Sequence, residues 1–263
     1  MILVFDVGNT ELTIGLFNEQ ELRGHWRVMT QVSRTTDEFG ILLQSLLRAR
    51  DFDPEQVTRA AIGSVVPGVT GALTAACREY FGVREPLIVD ARAALPITLE
   101  VDEPMTVGAD RLINTLAASR LYARDAIVVD MGTAITYDCI TSDGVFLGGV
   151  IAPGVLTSAE TLTRRTSKLP STELIVPSRV IGKRTEECIR AGVLFGAADA
   201  IDGIVARIKA EWPRAGTPMV VATGGFAETM ATLCRSFDRV EPHLTLHGLE
   251  IAHRLLRPDP VLL

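Results

Sequence analysis

Two short segments of the chain place an aspartate, a glycine and small polar side chains directly after an apolar run. Ile2-Leu3-Val4-Phe5 leads into Asp6-Val7-Gly8-Asn9-Thr10, and Ala126-Ile127-Val128-Val129 leads into Asp130-Met131-Gly132-Thr133-Ala134. A loop of this kind suits a nucleotide phosphate. Gly8 lets backbone N–H groups approach an anion without a Cβ in the way. Asn9 and Thr10 add side-chain donors, and Asp6 at the strand end can hold a hydrated metal or a water. In the second copy Thr133 can donate to a phosphate, and Asp130 can ligate a cation or orient a water. An ordinary hairpin uses the same residue types. Turn chemistry, however, has no need to recur 124 residues later, nearly half the chain away, so the repeat favours function.

Other segments have more than one reading. Gly108-Ala109-Asp110-Arg111 precedes a helical pattern. An Asp there is a favoured N-cap, and capping is the simpler reading of the spacing. In a cleft the same pair could serve an acceptor hydroxyl, with Asp110 taking its proton and Arg111 neutralising a carboxylate or phosphate. Residues 148–154 form a glycine-rich segment that either admits a substrate or turns into a helix. Thr185 is an N-cap candidate at a helix start that could also meet an anion, and Gly224-Gly225 is either a flat surface for an adenine or a helix entry. His243 and His247 are four apart without an evident third ligand. Neither the P-loop pattern nor a nucleophile elbow is present.

The elements needed to position these residues follow from periodicity. Each Asp-Gly motif opens a hairpin, and each half holds a further buried strand, Ala60-Ala61-Ile62-Gly63-Ser64 and Met219-Val220-Val221-Ala222-Thr223. Helical patterns cover residues 37–48, 69–80, 111–122, 185–210, 227–236 and 246–256. Alternating strands and helices predict an α/β fold. Its two duplicated lobes span residues 1–106 and 107–263 and are joined through residues 95–107, with the ligand expected in the cleft between them, at strand carboxyl ends. The 263 residues are 47% hydrophobic and 22% charged, which excludes a disordered chain. A net charge of −6 argues against a nucleic-acid surface. Four scattered cysteines, no signal-peptide pattern and no long apolar run predict a cytoplasmic protein with no membrane contact.

Taken together, these motifs resemble the type III pantothenate kinases, within the acetate kinase, sugar kinase, Hsp70 and actin superfamily. The two Asp-Gly motifs alone would indicate only the superfamily, and Gly108-Ala109-Asp110-Arg111 narrows it. The resemblance implies two actin-like (ribonuclease H-like) lobes with a nucleotide cleft between them. The implied reaction is ATP-dependent phosphorylation of the primary hydroxyl of pantothenate, the first step of coenzyme A biosynthesis. Asp6, Val7, Gly8, Asn9, Thr10, Glu11, Leu12 and Thr13 would form the ATP loop, with Thr133 a further ATP contact. Val107, Gly108, Ala109, Asp110, Arg111 and Thr185 would bind pantothenate, with Asp110 as proton acceptor. Asp130 would hold potassium or ammonium, and Asp6 would hold magnesium through a water. The family is dimeric. Members often carry a Tyr shortly before the Gly-x-Asp-Arg segment where this chain has Val101, which leaves one pantothenate contact unmatched. Two other readings are a superfamily kinase with a different acceptor and a non-catalytic regulatory accessory protein of the same fold.

Overall fold

Strand β1 (Ile2–Val7) is apolar on both faces and is covered on both. Leu3, Phe5 and Val7 pack with Phe39, Leu43 and Leu47 of α1 (Thr36–Arg48) and with Leu73 of α2 (Pro67–Phe81). Ile2 and Val4 point the other way, toward Ile113 and Leu116 of α3 (Ala109–Tyr122) and Leu246 and Leu249 of α7 (Leu244–Leu256). Strand alternation therefore puts Asp6, the one β1 residue that is not fully buried, on the α3 face. Helix α1 starts where the sequence predicts because Thr35 and Glu38 form a reciprocal capping box.

The structure, a computed structural model, describes residues 1–257. In the first unit β2 (Glu11–Asn18) and β3 (Glu21–Met29) run antiparallel outward from β1, while β4 (Arg59–Ser64) and β5 (Leu87–Val89) run parallel to β1 on its other side. The order is β3-β2-β1-β4-β5. A two-residue strand, β6 (Thr98–Leu99), lies in the connecting segment. The second unit repeats the pattern with β7 (Ala126–Met131), β8 (Ala134–Ile140), β9 (Val145–Pro153), β10 (Met219–Thr223) and β11 (Arg239–Val240). Its strands lie in the order β9-β8-β7-β10-β11, again with a meander on one side of the first strand and parallel strands on the other. Helices α4 (Val155–Arg165), α5 (Thr185–Glu211) and α6 (Ala227–Ala231) complete it, and Leu194, Ile201 and Val205 of α5 pack with Ile127, Val129 and Met131 of β7. Matching strand order and sense in both halves make this the duplicated actin-like α/β fold.

The structure departs from the sequence reading in two places. The chain divides by contact at residues 121 and 244 rather than between residues 106 and 107. One unit holds Met1–Leu121 and residues 244–257, the other Tyr122–His243. Helices α3 and α7 bury their apolar faces on the back of β1, so they fold with the first unit. Residues 258–263 of the expected second lobe lie outside the described residues. Helix α6 also stops at Ala231 rather than Ser236. Thr232 and Leu233 close tight turns onto Thr229 and Met230, and the Asp202 carboxylate takes the Arg235 and Ser236 amides.

Candidate functional site

In the first unit Asp6 and Val7 end β1 and pair with Thr13 and Leu12 of β2, so Gly8-Asn9-Thr10 form the hairpin connection. Gly8 N–H donates to Glu11 O at 2.9 Å and closes the turn. Asn9, Thr10 and Glu11 are exposed, while Val7 and Leu12 lie in the core. Those two can therefore present only backbone to a ligand. The exposed Glu11 carboxylate accepts from Arg27 across the β2–β3 pair.

The Gly108-Ala109-Asp110-Arg111 segment approaches this loop within the same unit. Val65 N–H donates to Val7 O at 3.1 Å, and Val65 Cγ1 lies 3.5 Å from where a Cβ on Gly108 would stand. Through Val65, the start of α3 is thus tied to the carboxyl end of β1, on the face that carries Asp6. Helix α3 begins at Ala109, so Asp110 sits inside the first turn and is not the N-cap. Its Oδ1 accepts from Arg111 N–H at 2.9 Å, while Gly108 O accepts the first helical bond, from Leu112 at 3.2 Å. Asp110 and Arg111 are half-buried, Ala109 is buried, and Val107 and Gly108 are partly exposed. The capping reading fails here, because the residue that stands just before the helix and takes its first bond is Gly108.

The second unit carries the other loop. Asp130 is half-buried and pairs with Thr136 on β8 and Thr223 on β10. Gly132 N–H closes the turn onto Ala134 O at 2.9 Å, and Thr133 is exposed. Two neighbours explain glycines noted in the sequence. Gly224, at φ 88°, leaves room for Asp130 Oδ1, which would stand 2.5 Å from a Cβ there. Gly154 ends the glycine-rich segment at the start of α4 and lies against the Gly132 and Thr133 carbonyls. Both therefore support the Asp130 loop by leaving it space.

Thr185 is the first residue of α5, with Arg184 at the N-cap and no side-chain cap bond. Its expected capping role is therefore not filled, while the Glu187 carboxylate in the same turn fastens the preceding segment, accepting from Lys183 N–H at 2.7 Å and from Arg179 at 3.0 Å. These bonds hold the Glu187 carboxyl below its ordinary range. Thr185 is exposed. His247 lies edge-on to Phe17 at 5.3 Å, a packing role, and among the described residues no three His, Cys, Asp or Glu side chains gather as a metal cluster. Three residues the sequence reading passed over adjoin the loops: Val65, Thr30, whose hydroxyl donates to Gly8 O at 2.7 Å, and Thr157, whose hydroxyl donates to Thr133 O at 2.7 Å. Each lies at least 20 residues from its target, beyond any local sequence signal.

With this geometry in place, similarity to known proteins gains a structural meaning. The type III pantothenate kinase family matches residues 2–207. A protein of Roseiflexus sp. (strain RS-1) named type III pantothenate kinase is 43% identical, over 98% of this chain and 100% of its own. Among solved structures, a conserved Campylobacter jejuni protein assigned to the Baf family of transcriptional activators superposes with a TM-score of 0.57 at 17% identity, over 96% of this chain and 98% of its own. Component A of the (R)-2-hydroxyglutaryl-CoA dehydratase of Acidaminococcus fermentans gives 0.53 at 13% identity, over 95% of each chain. At such identities the structural likeness speaks for the fold alone. The family match and the near full-length relative at 43% identity go further: this chain belongs to the type III pantothenate kinase family.

Proposed function

We infer that the protein transfers the γ-phosphoryl group of ATP to the primary hydroxyl of pantothenate, giving 4'-phosphopantothenate and ADP at the first step of coenzyme A biosynthesis. The observation that carries the site assignment is the link through Val65, which sets the Asp110 turn beside the strand end that bears Asp6 and the Gly8 loop. Phosphoryl transfer passes through a loose transition state and asks mainly for positioning and charge neutralisation. In this reading the hairpin from Asp6 to Thr13 cradles the ATP phosphates, with the exposed Asn9-Thr10 turn supplying backbone and side-chain donors, and Thr133 adds a contact. Val107, Gly108, Ala109 and Arg111 line the pantothenate position, with Thr185 a further contact. Asp110 accepts the hydroxyl proton as the new O–P bond forms and the bond to the ADP oxygen breaks.

The site carboxylates fit cation binding. Asp6 is a partly exposed oxygen donor at a strand end, which suits a magnesium ion that takes most of its other ligands from ATP phosphates and water. Bound there, magnesium would neutralise phosphate charge. Asp130 is the proposed holder of potassium or ammonium. We further propose a cytoplasmic homodimer. Ile175, Val180 and Ile181 of the exposed segment before α5, with Leu156 of α4, offer apolar surface to a second copy. Among the described residues no helix is long and apolar enough to cross a membrane.

The test is a coupled assay with ATP and pantothenate, with and without potassium, on the parent and Asp110→Asn. General-base loss predicts a fall in kcat of about 10²–10⁴-fold with ATP binding retained. Activity of the variant within tenfold of the parent removes Asp110 from this role. Turnover with another alcohol but not pantothenate would favour a different superfamily kinase. Sedimentation of the same preparation should give twice the 28.4 kDa chain mass, and a monomer at assay concentration would refute the dimer.

A further inference from the structure

Both Asp-Gly loops are fastened by a threonine hydroxyl. In the first unit Thr30 Oγ1 donates to Gly8 O at 2.7 Å, and Thr30 N–H donates to Thr10 O at 2.9 Å. In the second Thr157 Oγ1 donates to Thr133 O at 2.7 Å, and Gly154 N–H donates to the same oxygen at 3.1 Å. The two threonines stand in different local settings. Thr30 follows directly after β3, whereas Thr157 lies in the first turn of α4, just after β9. Each nevertheless comes from the chain leaving the third strand of its meander, and each takes a carbonyl of the loop that follows the first strand. A threonine hydroxyl thus takes a loop carbonyl twice from unlike surroundings, at Gly8 in the first loop and one position further along, at Thr133, in the second, which points to a requirement of the loops themselves.

That requirement follows from peptide geometry. A loop that holds phosphate by its amides must turn its carbonyls away, because a carbonyl oxygen facing a phosphate oxygen repels it. The peptide unit is planar and trans, so the C=O of one residue and the N–H of the next point in opposite directions. Fixing Gly8 O on Thr30 therefore fixes the direction of Asn9 N–H. A loop released from its threonine would spend part of its time with that peptide turned over, and only the remaining fraction would be competent to bind. Apparent affinity falls by that fraction. We propose that Thr30 and Thr157 are positioning residues that hold the two loops in their phosphate-binding conformation, Thr30 for the Gly8-Asn9 peptide and Thr157 for the Thr133 carbonyl.

This rests on the reading of the Gly8 loop as the ATP phosphate site, and the experiment separates the two. Thr30→Val keeps the side-chain shape and removes the hydroxyl, while Thr30→Ser keeps the hydroxyl. On the full-length chain, ATP dissociation constants are measured by calorimetry, alongside the KM for each substrate and the melting temperature. Loss of one hydrogen bond of ordinary net strength predicts that Thr30→Val raises the ATP Kd and KM about threefold to tenfold. The pantothenate KM and the melting temperature should stay at parent values, and Thr30→Ser should restore ATP affinity to within about twofold of the parent. Thr157→Val should weaken ATP in the same direction. An ATP Kd for Thr30→Val within twofold of the parent overturns the proposal. So does an equally impaired Thr30→Ser, or an equal rise in both KM values, which marks a general loss of structure. If the parent binds ATP but does not phosphorylate pantothenate, the reading of the reaction fails while the ATP Kd values still decide the role of Thr30. A parent that binds no ATP removes both.

Discussion

At Gly108, a Cβ would stand 2.5 Å from Asp110 Oδ1 and 3.5 Å from Val65 Cγ1. The tighter neighbour is the end of a side chain, which can rotate aside at little cost to folding. Its rotation would nevertheless carry the carboxylate away from the position assigned to the reacting hydroxyl. Gly108→Ala should therefore leave the melting temperature close to the parent value and lower kcat by about 10–100-fold, the scale of a small misplacement of a catalytic group. Unchanged kcat in a well-folded Gly108→Ala would show that the observed carboxylate position does not matter to turnover. The sequence placed Asp110 at a helix start but left capping and proton transfer both open. The structure removes the N-cap position from Asp110, since the first helical amide reaches Gly108 O and Asp110 Oδ1 accepts from Arg111 N–H inside the first turn.

The second loop rests on the start of a helix. Gly154 precedes α4, and a Cβ there would overlap the carbonyl oxygens of Gly132 and Thr133, backbone atoms that no rotamer change can move. Gly154→Ala must therefore push α4 and the Asp130 loop apart. Overpacking of this kind should cost about 1–3 kcal/mol in urea unfolding, together with a weaker ATP Kd. A midpoint equal to the parent would show that the loop yields freely. The paired strands and hairpins of both halves were legible from apolar runs and turn residues, since those signals are local. The end of α6 was not, because the Asp202 carboxylate, more than 30 residues earlier, takes the amides that follow it.

Across the molecule, buried thiols and phenols tie stability to alkaline pH. Burial raises Cys77 in the first unit from 9.0 to about 12. In the second unit burial, reinforced by Asp202 and Asp199, raises Cys234 to about 12. Tyr137 rises to about 12 by burial and then Cys234, and Tyr122 rises to about 12 by burial and then Glu241, against Arg239. Each group is held neutral in the folded state, so its contribution is complete below the unfolded value and is lost as pH rises through the folded one. Melting temperature should be flat up to about pH 9, where the thiols begin to titrate in the unfolded chain, and fall steeply toward pH 12. For Cys77 alone the loss is at most about 4 kcal/mol. A melting temperature constant to pH 11 would contradict this.

At the same scale the net charge of −6 is compatible with a polyanionic substrate, because the proposed contacts are amides, hydroxyls and cations rather than a basic surface. The sequence by itself determined the α/β class, the duplication and the Asp-Gly loops, since apolar periodicity and a repeat are properties of neighbouring residues. Only the tertiary structure decided that α3 and α7 belong with the first unit, that Asp110 stands on the Asp6 face of β1, and that Thr30 and Thr157 hold the loops. Those facts depend on which apolar faces meet and which distant carbonyls come within reach of a hydroxyl, and no local pattern encodes either.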